Sequence, residues 1–135
     1  MEDAKTTKQT KTILLVDDDQ DFLFQQRLQL EATGFRVAEA NTAADAMRAF
    51  ESAKPDLAIV DLMMENLDAG FTLCYQMKKK RPAMPIIMVT AVATETGMDF
   101  DASTEEERAW IKADVLLAKP IRFEQLKREV ERLLT

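Results

Sequence analysis

The chain of 135 residues contains no histidine. This absence excludes a Ser/His or Cys/His catalytic pair, a metal site with imidazole ligands, and a phosphohistidine formed on this chain itself. The single cysteine, Cys74, cannot form an internal disulfide, which favours a reducing compartment. The sequence also lacks a run of about 18 apolar residues and a charged-then-apolar leader, so it indicates neither a membrane span nor a signal peptide. We therefore expect a cytoplasmic protein with no membrane partner.

Positive charge is in deficit, because the formal net charge is −6. Binding to a phosphate backbone requires a clustered positive surface, so a nucleic acid is not expected as the main ligand. The one basic cluster of the sequence, Lys78-Lys79-Lys80-Arg81, directly precedes Pro82. We interpret it as the cationic end of a helix, where it complements the helix dipole.

What is present fits a single folded domain. Hydrophobic residues make up 47% of the chain and charged residues 31%, and 135 residues are enough to bury a sizeable core. Residues 1–10 are too polar to pack and are predicted to form a disordered tail. The folded domain is therefore expected over residues 11–135.

Five short apolar runs alternate with segments of helical periodicity. Strands are predicted at residues 12–16, 36–40, 57–60, 85–89 and 115–118, and helices at 21–33, 43–53, 71–80, 103–112 and 122–134. In the first helix, Leu23/Leu30 and Phe24/Leu28 are two adjoining apolar stripes, and Gly70 is assigned to the turn before the third helix. Apolar strands that alternate with amphipathic helices predict an α/β fold, a single doubly wound five-stranded parallel sheet with helices on both faces.

Four of the five predicted strands end in polar side chains. Asp17 and Asp18 follow the first strand, Asp61 the third, Thr90 the fourth and Lys119 the fifth. Right-handed crossovers bring the carboxyl ends of parallel strands to one edge of the sheet, so these residues are expected to converge there. Each has an ordinary explanation when taken alone, since acids also favour the first turn of a helix. Their joint placement favours one site.

Three carboxylates without histidine or clustered thiolates form an oxygen-rich site that suits Mg²⁺ or Mn²⁺. A carboxylate beside a divalent cation can attack phosphorus and form an aspartyl phosphate. Lys119 and the Thr90 hydroxyl would contact the remaining phosphoryl oxygens by charge and hydrogen bond. The predicted chemistry is therefore Mg²⁺-dependent acceptance of a phosphoryl group.

Four segments carry a resemblance to a known family, and they stand in the order Ile13-Leu-Leu-Val-Asp-Asp-Asp19, Asp56-Leu-Ala-Ile-Val-Asp-Leu-Met-Met64, Val89-Thr-Ala91 and Ala118-Lys-Pro120. Together they resemble the response-regulator receiver domain of two-component signalling. The resemblance covers residues 11–135, and it implies the flavodoxin-like strand order 2-1-3-4-5.

The resemblance also implies a role for each site residue. Asp61 is identified as the phosphoacceptor, and Asp17 and Asp18 as the acidic pair that holds Mg²⁺ together with it. The other implied roles are those of the backbone carbonyl of Met63 as a further metal ligand, of Thr90 as the switch hydroxyl and of Lys119 as the phosphate-contacting lysine.

The same resemblance implies the partners. A histidine kinase or a histidine phosphotransfer protein would donate the phosphoryl group, and a chain without histidine fits the recipient's role. The chain is expected to be a stand-alone receiver, a phosphoacceptor rather than an enzyme beyond its own phosphorylation and dephosphorylation. Its output would be phosphorylation-dependent binding to an unidentified downstream protein, or onward phosphotransfer. It is expected to be a monomer or a phosphorylation-dependent dimer.

The sequence departs from the family pattern at several positions. Leu116 stands where the family often has an aromatic switch residue, Glu65 stands where a proline is common, and Ala69 resembles a one-residue insertion. Residues 91–103 are longer than usual and replace the start of the fourth family helix. These departures bear on how a phosphorylation signal would be transmitted.

Two alternatives remain open from the residues. One is a degenerate receiver that binds a partner without being phosphorylated, which the altered loops and Leu116 make conceivable. The other is a phosphohydrolase of the haloacid-dehalogenase type, in which Asp17-x-Asp19 would supply the nucleophile and the acid. The second alternative leaves Asp61 without a role.

Overall fold

The computed structural model describes residues 11–61, 69–90, 113–119 and 121–134. Five strands and four helices lie in this part of the chain. They are β1 (Thr12–Val16), α1 (Gln20–Thr33), β2 (Arg36–Ala40), α2 (Ala43–Ala53), β3 (Leu57–Asp61), α3 (Ala69–Lys80), β4 (Ile86–Thr90), β5 (Val115–Ala118) and α4 (Phe123–Leu134). The helix predicted at residues 103–112 lies outside the described residues. Among the helices of the described part, none is long and apolar enough to cross a membrane.

The five strands form one parallel sheet in the order β2-β1-β3-β4-β5, which confirms the expected flavodoxin-like topology. The register determines which residues become neighbours at the carboxyl edge. Val16 lies opposite Val60, and Thr90 lies opposite Ala118. Asp17 and Asp61 follow the first pair, and Lys119 follows Ala118 beside Thr90, so these residues are brought to the same edge.

Both faces of the sheet are covered, as expected for strands that are apolar throughout. The central strands β3 and β4 are buried along their whole length. One core cluster packs beneath α2 and α3, and its members include Leu14, Val60, Met88, Phe50 and Met77. The other packs beneath α1 and α4, and its members include Ile13, Ile59, Val89, Leu23 and Leu126. Each fully buried aliphatic side chain contributes roughly 1.5–3 kcal/mol, so the two clusters hold the strand ends in place.

Of the two adjoining apolar stripes described for the first helix, α1 buries only one. Leu23 and Leu30 are buried, but the side chains of Phe24 and Leu28 are 63% and 52% exposed. A single helix on one face of a sheet buries one side, and the side chosen here has Gln26 between the two leucines. A buried glutamine is a weak sequence signal, because glutamine is usually exposed.

The third helix begins two residues earlier than predicted, at Ala69, and it includes Gly70. Gly70 is therefore a buried helical residue and not part of a turn. A glycine is tolerated there because the first turn contributes few backbone N–H groups to the helical ladder. The three lysines of the basic cluster do lie in the last turn, whereas Arg81 follows the helix end. Two of the lysines form ion pairs, Lys78 with Asp114 at 2.8 Å and Lys80 with Glu51 at 2.6 Å.

Two aspartates fasten the amino ends of the strands, opposite the edge that carries the polar cluster. The backbone N–H of Asp56 donates to the carbonyl of Thr12 at 2.7 Å, and its carboxylate accepts from the N–H of Thr12 at 2.8 Å. Asp114 makes the same pair of bonds to Ile86, at 2.9 and 2.8 Å. Each aspartate thus satisfies both backbone groups of the first residue of a neighbouring strand.

Replacing Asp114 should destabilise the fold by more than its partial exposure suggests. Asp114→Ala leaves the N–H of the fully buried Ile86 without its acceptor and removes the ion pair with Lys78, so we expect a loss of about 1–3 kcal/mol in the free energy of unfolding. Urea denaturation measures it. Glu51→Gln is the matched control, because its exposed pair with Lys80 should contribute only about 0–1 kcal/mol. Equal effects of the two substitutions would contradict the assigned role of Asp114.

The thiol of Cys74 should be unreactive in the native protein. Cys74 is fully buried in α3, and this burial raises the pKa of its thiol to about 12. The thiolate is the nucleophile, so at pH 8 the native protein should not react with an aromatic disulfide reagent, whereas the urea-unfolded chain should react stoichiometrically. Complete reaction within minutes without denaturant would show that α3 opens readily.

Candidate functional site

Three carboxylates meet where β1 and β3 end. Asp17 follows β1 directly, Asp61 is the last residue of β3, and Asp18 adjoins them. One carboxylate oxygen from each lies within 4.8 Å of the others. Asp17 and Asp61 are 0% and 5% exposed, whereas Asp18 is exposed to solvent. The cluster is therefore built into the sheet on one side and open on the other.

Lys119 reaches this cluster from the end of β5. Its ammonium Nζ donates a hydrogen bond to Asp17 Oδ2 at 2.9 Å and lies 3.7 Å from Asp61 Oδ1. Its backbone N–H donates to the carbonyl of Thr90 at 2.8 Å, which fixes the lysine to the end of β4. Thr90 itself is 2% exposed. The carboxyl ends of four strands, β1, β3, β4 and β5, thus bring their polar residues together at one edge of the sheet, as the sequence predicted.

The three consecutive acids in the loop from β1 to α1 have two different roles. Asp17 Oδ1 accepts from the backbone N–H of Asp19 at 2.9 Å, which turns the chain. The carboxylate of Asp19 caps α1 by accepting from the N–H groups of Asp21 and Phe22 at 3.0 and 3.2 Å. Asp19 therefore serves the start of the helix, whereas Asp17 and Asp18 belong to the cluster.

The charges of the cluster do not balance. Burial raises the pKa of Asp17, although the N–H of Asp19 and the ammonium of Lys119 oppose the rise. Burial also disfavours the charged form of Lys119, but its hydrogen bond to Asp17 and the charges of Asp17 and Asp61 raise the pKa of its ammonium overall. Lys119 therefore remains charged at neutral pH. When every group is ionised, the three carboxylates exceed the one ammonium by two negative charges.

The donor set fits a hard divalent cation. It consists of carboxylate oxygens, without thiolate or imidazole, and it carries excess negative charge at a partly open edge. Asp17, Asp18 and Asp61 would hold Mg²⁺, with water at the positions facing solvent. Met63, whose carbonyl was expected as a further ligand, lies outside the described residues, as do residues 91–103.

One aromatic side chain at the site was not predicted from the sequence. The ring of Phe22 lies beneath the ammonium of Lys119, with 4.6 Å between Nζ and the ring centroid. Leu116, the residue expected to replace an aromatic switch, is only partly buried and packs on the opposite face, against the cluster beneath α2 and α3. No local sequence pattern predicts the contact between Phe22 and Lys119, because it depends on how α1 is placed on the sheet.

The fold and the site define a class of protein, namely doubly wound α/β domains that carry three acids and a lysine at the carboxyl edge of the sheet. The family model of the response regulator receiver domain matches residues 13–131, and the chain belongs to this family. Its members are signalling proteins of two-component systems. The resemblance inferred from the four sequence motifs is thus confirmed.

Solved structures agree with this assignment. A CheY-like response regulator receiver domain protein from Methanospirillum hungatei shares 28% identity, with a TM-score of 0.77 over 93% of this chain and 94% of that one. A two-component response regulator from Clostridium difficile shares 26% identity, with a TM-score of 0.78 over 93% and 96%.

Curated relatives are longer proteins. The alkaline phosphatase synthesis transcriptional regulatory protein PhoP of Bacillus subtilis is 32% identical over 124 residues, which are 92% of this chain and 48% of that protein. The transcriptional regulatory protein GlrR of Escherichia coli is 39% identical over 79 residues, 58% of this chain and 18% of that protein. The chain therefore spans about half or less of the length of these relatives.

Magnesium should stabilise the fold through the three-acid cluster. A cation that binds the folded state alone adds about 2.7 kcal/mol at 100 times its Kd, so we expect Mg²⁺ to raise the Tm by several degrees. In Asp18→Asn most of this rise should disappear, while the Tm without Mg²⁺ should stay the same or increase because a like charge is removed. Differential scanning calorimetry with and without Mg²⁺ measures both.

The control for this measurement is Asp45→Asn, which removes an acid of α2 that pairs with Arg48 instead. It should keep the full response to Mg²⁺. An equal response in all three proteins would mean that the ion acts by general screening and not at the cluster.

Proposed function

We propose that the chain accepts a phosphoryl group on Asp61 from a phosphohistidine of a histidine kinase or histidine phosphotransfer protein. The observation that carries the proposal is the position of Asp61. It is a buried carboxylate at the end of β3, grouped with two further acids and 3.7 Å from the ammonium of Lys119. Signalling would follow by phosphorylation-dependent protein binding or by onward phosphotransfer, and the cytoplasm is the proposed location.

In the proposed reaction a carboxylate oxygen of Asp61 attacks phosphorus. A P–O bond forms, the P–N bond of the donor breaks, and the histidine nitrogen leaves with the electron pair of that bond and takes a proton from solvent. A divalent cation in the cluster would offset the charge of the acids and of the phosphoryl oxygens. Lys119 would exchange its bond to Asp17 for one to a phosphoryl oxygen, and the hydroxyl of Thr90 would donate to another.

The role of Asp17 as the anchor of Lys119 supports Asp61 as the nucleophile. Both oxygens of Asp17 already accept hydrogen bonds, one from the N–H of Asp19 and one from Lys119. These bonds lower the electron density of the oxygens and hold Asp17 as an anchor for the lysine. The ammonium of Lys119 also lies near Asp61, so a phosphoryl group on Asp61 would be close to a positive charge.

The haloacid-dehalogenase alternative finds less support. That mechanism needs Asp19 beside Asp17 as an acid aimed at the same reacting group. In this structure the carboxylate of Asp19 is directed to the first turn of α1, where it accepts two backbone N–H groups. A degenerate receiver is likewise disfavoured, because the acids, Lys119 and Thr90 are all present and grouped at one edge.

Phosphorylation should depend on Asp61. Incubation with Mg²⁺ and acetyl phosphate, a small phosphoryl donor, should add the mass of one phosphoryl group to the wild-type chain, whereas Asp61→Asn should gain none, because an amide oxygen is a poor nucleophile toward phosphorus. Intact-protein mass spectrometry measures the gain, and Asp45→Asn serves as the control that retains it.

Reduction of the acyl phosphate followed by peptide mapping identifies the acceptor. A labelled Asp17 would support the phosphohydrolase mechanism and overturn the proposal. A wild-type protein that is never labelled, although it binds Mg²⁺ at the cluster, would instead support the degenerate receiver.

A further inference from the structure

Lys119 belongs to a closed circuit of contacts that joins the ends of β1 and β5 to the start of α1. Its ammonium donates to Asp17 Oδ2, and the other oxygen of Asp17 accepts from the N–H of Asp19. The carboxylate of Asp19 accepts from the N–H of Phe22 at 3.2 Å. The ring of Phe22 closes the circuit at 4.6 Å from Lys119 Nζ. Every link lies within the part of the chain that the structure describes.

This lysine needs such support. Its side chain is a flexible four-carbon stem that ends in a strongly hydrated charge, and it is 23% exposed, so water competes with its partners. The hydrogen bond to Asp17 holds it away from solvent on one side. For the proposed reaction, however, the ammonium must leave Asp17 and follow the phosphoryl oxygens on Asp61. A second support that does not depend on Asp17 would keep the ammonium at the site during this exchange.

Phe22 is held in a position to give that support. The cap formed by Asp19 fixes its backbone in the first turn of α1. Its side chain is half-buried and packs against the core cluster beneath α1 and α4. One face of a ring so placed can meet a cation, and 4.6 Å lies inside the distance of about 6 Å within which aromatic faces attract ammonium groups.

We propose that Phe22 is a positioning residue, whose aromatic face holds the ammonium of Lys119 over Asp61 as this lysine exchanges Asp17 for the phosphoryl group. The proposal rests on the proposed function of Asp61. The contact suits this task because an aromatic face attracts a cation without a fixed direction, so the ammonium can turn from one oxygen to another and keep the ring beneath it. A carboxylate in place of the ring would bind the ammonium directionally and compete with the phosphoryl oxygens.

The first test compares rates of phosphorylation by acetyl phosphate at saturating Mg²⁺. Phe22→Leu keeps an apolar side chain but removes the ring, and its rate should fall about two- to fivefold, the size of an exposed or half-exposed cation–aromatic contact. Phe22→Tyr restores an aromatic face and should recover most of the rate. Phe24→Leu is the matched control, because Phe24 lies two residues further along the same helix with its side chain in solvent. It should leave the rate unchanged.

A double-mutant cycle separates positioning from general packing. In a Lys119→Gln background, which lacks the ammonium, Phe22→Leu should cause no further loss of rate, because the ring then has no cation to hold. An equal loss in both backgrounds, or a loss in Phe22→Tyr as large as in Phe22→Leu, would overturn the proposal and make Phe22 a packing residue only.

The second test does not require phosphorylation. Protons above an aromatic face are shifted upfield, so the ε-methylene signal of Lys119 should lie upfield of the other lysines in the wild type and in Phe22→Tyr, and should return to the ordinary range in Phe22→Leu. Lys119→Arg assigns the signal. An unshifted signal in the wild type would overturn the proposal even if Asp61 is phosphorylated. The signal could be shifted while the Asp61→Asn variant is still phosphorylated. That result would support the contact between Phe22 and Lys119 but would reject the proposed function of Asp61.

Discussion

The repulsion among three carboxylates at one edge of the sheet is the constraint on which this structure depends. Asp17 and Asp61 are neighbours because β1 and β3 pair in parallel, with Val16 opposite Val60, so the next residue of each strand meets the other. Two buried acids side by side raise the energy of the folded state unless opposite charge or N–H donors offset them. Lys119 and the N–H of Asp19 supply part of this compensation. The remaining negative charge is of the kind that a divalent cation at this edge would offset.

Aspartates elsewhere on the chain show that the role of an acid depends on the groups that its carboxylate contacts and not on the residue type alone. Asp56 and Asp114 lie at the amino ends of β3 and β5, and each is satisfied by the backbone of the neighbouring strand. Asp19 is satisfied by the first turn of α1. These hydrogen bonds contribute to the stability of the fold. At the amino edge of the sheet carboxylates thus accept from the N–H groups of neighbouring strands, and at the carboxyl edge three of them lie beside one another.

The sequence predicts the sheet and the convergence of its polar ends, because both follow from local signals. Apolar runs of four or five residues specify the strands, and parallel crossovers then leave only one edge for Asp61, Thr90 and Lys119. The placement of α1 is not local in this sense. Which of its apolar stripes is buried depends on the shape of the sheet beneath it, so the exposure of Phe24 could not be foreseen. The contact of Phe22 with Lys119 has the same origin, since it requires both the placement of α1 and a lysine 102 positions beyond Asp17.

The location of the aromatic residue bears on how a signal would leave the site. Leu116, on β5, packs toward α2 and α3 and carries no aromatic ring. Phe22 approaches the same lysine from the other face, on a helix whose first turn is tied to the loop that carries Asp17 and Asp18. A phosphoryl group that draws Lys119 away from Asp17 would therefore change forces on the start of α1 as well as on β4. Lys119 thus contacts α1 through Phe22, on a helix that exposes Phe24 and Leu28 two and six residues further along.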